Sequence, residues 1–304
     1  MPDGEKNWNR VFLNGGQADP DSRFAQERGW AALLRDRLVA RLRPGWIRDP
    51  LRLLLGVQAF ERFAPLPWID LPEGARMAVL APHPDDESIG PGGLVAAWTA
   101  AGRQAEVVLL TEGGAGNPAL RDPALDGRAR ARLVALTRDR RRAEAGRALA
   151  ALGAAAAWLD GTDGALSGDE PRLAGALAAL WRARPPDLVL APFPADRHAD
   201  HAATARILVL AARAARLPET LPVLAYEVWS PLPANALFDI SAVAARKWQA
   251  IAAHESQLAS TDYLTAARGL AAYRGAAGGR PVPAEAYHRC TLAAYAAMAE
   301  GLRP

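Results

Sequence analysis

Four apolar residues, 77–80, run straight into Ala81-Pro82-His83-Pro84-Asp85-Asp86-Glu87, and Gly90-Pro91-Gly92-Gly93 then opens a helical pattern that reaches about Ala101. This stretch constrains the fold more than any other. A short unbroken apolar run suits a strand buried on both faces. A strand that passes through a polar turn into a helix is half of a parallel α/β unit. The charged turn therefore lies at the carboxyl end of a strand, the edge of an open α/β sheet where ligands bind. His83 and Asp86 are donors suited to a divalent metal, and Asp85 stands beside them as a carboxylate that need not ligate. The competing reading is an acidic helix N-terminus, with Asp86 and Glu87 complementing the helix dipole and His83 in a turn.

The pattern recurs. Residues 187–192 read as another buried strand, followed at once by Phe193-Pro194-Ala195-Asp196-Arg197-His198-Ala199-Asp200-His201. His198 and His201 stand three apart at the start of a helix predicted over 200–216, so both can face one site. One such pair could be a helix cap; two strand ends that each deliver His and Asp are hard to explain structurally. Further strands are predicted at 106–110, 156–159 and 223–229, with helices at 93–101, 128–152 and 171–183. This alternation implies an α/β fold, a mostly parallel sheet with right-handed crossovers and helices on both faces. Helices at 243–257, 262–273 and 284–298 are expected to close it. Asp163, Glu112 and Glu227 follow other strands and add polar groups to the same edge, though ordinary turn chemistry would also place them there.

On the two motifs, Pro82-His83-Pro84-Asp85-Asp86-Glu87 and His198-Ala199-Asp200-His201, the chain resembles the LmbE-like (PIG-L) metal-dependent N-deacetylases, whose AHPDDE and HxDH they match. The resemblance spans roughly residues 76–298. It implies a Rossmann-like sandwich, with His83, Asp86 and His201 holding one zinc per chain, and Fe²⁺ or Co²⁺ as alternatives. It makes Asp85 the general base and His198 the group that stabilises the oxyanion or protonates the leaving amine. Asp200 becomes an outer partner that holds a histidine tautomer. Arg141, in Arg141-Arg142-Ala143-Glu144, and Asp163 are the implied substrate contacts, although Arg138, Arg140 and Arg142 crowd the same helix and a solvated face is the other reading of Arg141. His254-Glu255-Ser256-Gln257 resembles the family's HxSQ and reads as structural support. The family often has proline where this chain has Ala199, a position that supplies no ligand.

The implied reaction is hydrolysis of an N-acetyl group from an N-acetylglucosamine-type sugar or glycoconjugate, releasing acetate. A sugar–thiol amidase and a sugar-binding relative with little catalysis are the alternatives. A metal phosphoesterase usually carries ligands for two metals, and only one convincing set is present here.

The remaining composition narrows partners. A net charge of +3 over 304 residues is too weak a basis for nucleic-acid binding. The single cysteine, Cys290, has no disulfide partner, which suits a reducing compartment. Residues 1–16 lack the apolar core of a signal peptide, and no run approaches the ~18–20 apolar residues of a membrane span. A cytoplasmic protein is the expectation. Residues 1–70 read as a helical extension, with stripes over 21–42 and 50–63 and many arginines, expected to pack on the domain at 71–304; contact with an anionic membrane surface is the competing reading.

Overall fold

The computed structural model describes residues 66–301. The expected helices at 21–42 and 50–63 lie outside the described residues. Near the start of the described residues, Trp68 bridges to Leu237, and its indole N–H donates to the Gly278 carbonyl at 2.9 Å.

Five strands, β1 (Arg76–Ala81), β2 (Gln104–Thr111), β3 (Ala155–Gly161), β4 (Leu188–Pro192) and β5 (Pro222–Tyr226), pair in parallel in the order β3-β2-β1-β4-β5. Alternation along each strand feeds two cores. Met77, Val79 and Ala81 face one helical layer, and Ala78 and Leu80 face the other. The first layer holds α2 (Gly92–Ala100), α3 (Gly127–Leu152) and, further on, α6 (Ala244–Ala252) and α8 (Tyr263–Ala277). The second holds α4 (Glu170–Ala183), α5 (Ala199–Ala215) and α9 (Leu292–Gly301). Short helices α1 (Asp86–Ile89) and α7 (Glu255–Leu258) sit beside the first layer's elements.

Helix α3 shows how the chain sets these layers. Asp126 caps its start, accepting the Ala129 N–H at 2.7 Å. Gly153, with φ at 71°, ends it in the left-handed conformation that glycine adopts without strain. Thr137, Arg141, Glu144, Ala148 and Leu152 recur at three- and four-residue intervals and form its buried face.

The C-terminal third departs from expectation. Residues 284–298 do not form one helix: Ala284–Thr291 is a strand, β7, antiparallel to β5, and the helix begins only at Leu292. A further strand, β6 (Ala236–Asp239), pairs with β7 and completes a seven-stranded sheet. Alanine-rich composition favours helix, but backbone pairing on both sides and burial of Ala284, Ala286 and Tyr287 override that preference here. The predicted helix over 243–257 breaks at Ala253–His254 into α6 and α7, and β5 ends at Tyr226 instead of 229.

Strand order reverses between β1 and β4. That is where an open sheet leaves a crevice, and these two strands carry the two His/Asp motifs.

Candidate active site

Adjacent strand ends bring together residues more than a hundred positions apart. Asp86 is central. Its Oδ2 accepts the His83 backbone N–H at 2.8 Å and lies 3.1 Å from His83 Nδ1 and 3.3 Å from His201 Nε2. On the other side of the His83 ring, Nε2 is 3.1 Å from Asp200 Oδ2 and 3.4 Å from Asp163 Oδ1. Asp200 is itself fixed by the backbone N–H groups of Gly164 (2.7 Å) and Leu166 (3.1 Å), which ties the loop after β3 to the start of α5. A nitrogen from each of His83, His198 and His201 also falls within 4.8 Å of the others, as do donors from His83, Asp163 and Asp200.

Burial and charge set the protonation states. Burial alone would lower the His83 pKa, but contact with Asp163, Asp200 and Asp86 raises it well above the ordinary value. Burial would likewise raise Asp86, yet His201 and His83 hold it well below. His201 is pushed up to about 9, because Asp86 and Asp196 outweigh desolvation. Asp85 is raised to about 6 by burial, against the pull of Arg141. His198 moves down, through burial and the neighbouring His83 and His201.

Two side chains are fixed by their neighbours. His198 caps α5, its Nδ1 accepting the Asp200 N–H at 3.2 Å. A nitrogen that accepts carries no proton, so the His198 proton resides on Nε2. Arg141, 3% exposed, donates to the carbonyls of Pro84 and Gly113 and pairs with Asp85 Oδ2 at 3.1 Å and Asp163 Oδ2 at 3.6 Å. Among the crowded arginines, Arg138 and Arg140 project outward while Arg141 points in.

The residues fit a metal. His201 is fully buried, and neither of its ring nitrogens makes a hydrogen bond among the described residues, although carboxylates stand 3.3 and 3.4 Å away. A buried polar atom without a partner is costly, and imidazole beside carboxylate is a donor set for a borderline divalent ion.

A cleft of about 820 Å³ opens over these groups. His83, Asp85, Asp86 and His198 line it together with Arg141 and Asp163. Three contributors were not assigned from sequence. Asp196 accepts the N–H groups of His198 (3.0 Å) and Trp229 (3.1 Å) and faces His201 Nδ1. Trp229 stacks on the His198 ring at 6.2 Å, and Tyr263 meets Trp229 edge-on at 5.8 Å. Asp196 lies within the same acidic run as His198, which was the available signal; nothing local marks Trp229 or Tyr263. His254 bonds Glu87 Oε1 at 3.1 Å, and Glu87 Oε2 accepts the Asp85 N–H at 3.0 Å, so the support expected of that segment reaches the Asp85 backbone.

Comparison with known proteins agrees with this geometry. Residues 78–212 match the family model described as PIG-L: GlcNAc-PI de-N-acetylase. No curated protein matches the sequence. Among solved structures, a conserved protein from Thermus thermophilus is 28% identical, with a TM-score of 0.57 over 70% of this chain and 93% of that one. An N,N'-diacetylchitobiose deacetylase from Pyrococcus horikoshii is 22% identical, with a TM-score of 0.60 over 84% and 96%. A 4-carboxy-2-hydroxymuconate hydratase from Pseudomonas putida is 24% identical, with a TM-score of 0.57 over 71% and 96%. The last two show the shared fold, and since one is a hydratase, the fold alone does not select the reaction. The two motifs that converge at the strand-order reversal both lie within residues 78–212, the stretch that matches the PIG-L model, so this part of the chain is similar to the PIG-L/LmbE-like N-deacetylases.

Proposed function

We propose that this protein hydrolyses the N-acetyl group of an N-acetylglucosamine-type sugar or glycoconjugate, with one zinc-like divalent ion held by His83, Asp86 and His201. The observation that carries this reading is His201, buried and without a hydrogen bond on either nitrogen, facing the Asp86 oxygen that also faces His83. His198 fits less well as a ligand, because its Nδ1 is already used as a cap. Asp200, 3.1 Å from His83 Nε2, holds the tautomer that leaves Nδ1 turned toward Asp86 and His201.

When bound, the ion would acidify a water and polarise the amide carbonyl. The chain's own groups do the rest. Asp85 accepts a proton from the attacking water, whose oxygen joins the acyl carbon. The lowered pKa of His198 keeps it neutral, so its Nε2–H acts as a hydrogen-bond donor to the developing oxyanion. Asp85 then returns its proton to the nitrogen as the C–N bond breaks, and a carboxylate raised to about 6 suits both directions of transfer near neutrality. Arg141, 3.1 Å from Asp85, orients that carboxylate and, with Asp163, offers contacts to sugar oxygens.

A cytoplasmic location belongs to this reading, supported by the lone Cys290, which has no second cysteine to pair with in this sequence. Among the described residues no helix is long and apolar enough to cross a membrane.

The test is acetate release from a panel of N-acetylglucosaminides, with and without a chelator, alongside metal content. Chelator-sensitive release at about one ion per chain supports the reading. A content near zero or near two overturns the single-ion site, and absence of acetate from every metal-loaded assay overturns the reaction.

A further inference from the structure

A second cavity, about 250 Å³, lies against the catalytic cleft. Ile89, Val228, Trp229, Thr261 and Tyr263 line both, so the two spaces share a wall of side chains. Beyond that wall the lining comes from Leu270 and five alanines, Ala266, Ala267, Ala271, Ala284 and Ala286. Small residues on α8 and β7 thus create the space.

The charged groups that reach it are already consumed. Lys247 Nζ bonds Glu285 Oε1 and the Gly90 carbonyl. Glu227 takes both Arg274 contacts and the Leu232 N–H at 2.9 Å. Tyr226 donates its hydroxyl to the Leu80 carbonyl at 2.7 Å. Among the described residues every charge that lines it is paired, and the surface on offer is mainly apolar. An apolar cavity of about 150 Å³ accepts a benzene ring, so this one has room for more than the methyl of an acetyl group.

We infer that this cavity binds a linear alkyl chain carried by the amino-sugar substrate, entering past Ile89, Trp229 and Tyr263. The inference rests on the deacetylase reading for the identity of the sugar, while the chain site stands on the cavity itself. The chain has two possible attachment points, the glycosidic oxygen or the N-acyl group.

Two series decide between them: methyl, butyl and hexyl 2-acetamido-2-deoxy-β-D-glucosides, and methyl glucosaminides bearing N-acetyl, N-butanoyl or N-hexanoyl groups. Binding to the metal-loaded protein is measured by calorimetry and turnover by amine release. Burying a methylene is worth about fourfold in affinity, so one series should strengthen by at least about tenfold from its shortest to its longest member. Ala267→Phe fills the cavity and should bring that ratio to within about twofold of one. Ala266→Phe, at an exposed helix position that tolerates bulk, does the same if the first variant folds poorly. A flat ratio in both series, or no binding of either hexyl compound, overturns the inference even if acetate is released. A steep ratio that both fillings leave unchanged places the chain elsewhere and also overturns it. Steep, filling-sensitive binding with no amine release keeps the alkyl site and removes the deacetylase reading.

Discussion

Replacing Glu285 by Gln should destabilise this protein more than any single change at its surface. Four donors converge on that carboxylate: the Gly93 N–H at 2.6 Å, the Leu94 N–H at 2.8 Å, the Tyr287 hydroxyl at 2.6 Å and Lys247 Nζ. Glu285 is 5% exposed and Lys247 3%. An amide can accept on one side only, so its NH₂ must face two of these donors. The larger loss is electrostatic. Lys247 would be left buried with no carboxylate to neutralise it, and breaking a buried pair in this way costs about 3–5 kcal/mol. In a domain of this size that corresponds to roughly 6–20 °C in Tm. Urea denaturation of four proteins (wild type, Glu285→Gln, Lys247→Met and the double variant) gives the coupling directly. The double variant should be more stable than Glu285→Gln alone, because the stranded charge is gone. A Glu285→Gln loss below about 1 kcal/mol, or a double variant at the sum of the singles, would refute the reasoning.

Other outcomes follow from single contacts. Asp85→Asn should cut deacetylation by about 10²–10⁴-fold with metal content unchanged, whereas Asp86→Ala should lose metal and activity together; elemental analysis and rates on the same preparations separate the two. Gly90→Ala places a Cβ 2.4 Å from the buried Tyr226 ring, and overpacking of this kind costs about 1–3 kcal/mol, visible as a lowered urea midpoint. Asp187 accepts the Ala75 and Arg76 N–H groups at 2.9 Å each, which hold its pKa below the ordinary value. A depressed carboxylate stabilises above its unfolded pKa of about 3.9 and loses that contribution as pH falls through the folded value. Asp187→Ala should therefore cost about 1 kcal/mol near pH 7 by urea denaturation, and the gap from wild type should narrow as pH falls below about 4; a gap of the same size at pH 7 and at pH 3 would exclude the charge as its cause.

The parallel half of the fold was legible because local signals and tertiary demands coincide there. The apolar runs at 77–80 and 188–192 are buried on both faces, and each ends in the residues that build the site. Legibility fails where a partner decides. Ala284–Thr291 opens the alanine-rich stretch 284–298 that reads as one helix, and becomes a strand because β5 and β6 pair with it. Arg141 could not be told from Arg138 or Arg140 by spacing, since the carbonyls of Pro84 and Gly113 that select it come from other segments. Trp229 reaches the cleft from the loop after β5 and Tyr263 from the first turn of α8, and nothing local marks either for a site built from distant segments.

The reach of β7 across the sheet has a consequence for biosynthesis. The helix that follows the first motif has no side-chain cap of its own, and its leading N–H groups at Gly93 and Leu94 are met by Glu285, 192 residues later for Gly93. At about 5–20 residues per second, a ribosome takes roughly 10–40 s to deliver that carboxylate. For this interval the helix that follows the His83–Asp86 turn is uncapped, and once Tyr226 has been added β5 also lacks its antiparallel neighbour. Unpaired strand edges of this kind are where emerging chains associate wrongly. Release from the ribosome before residue 285 would leave that state permanent.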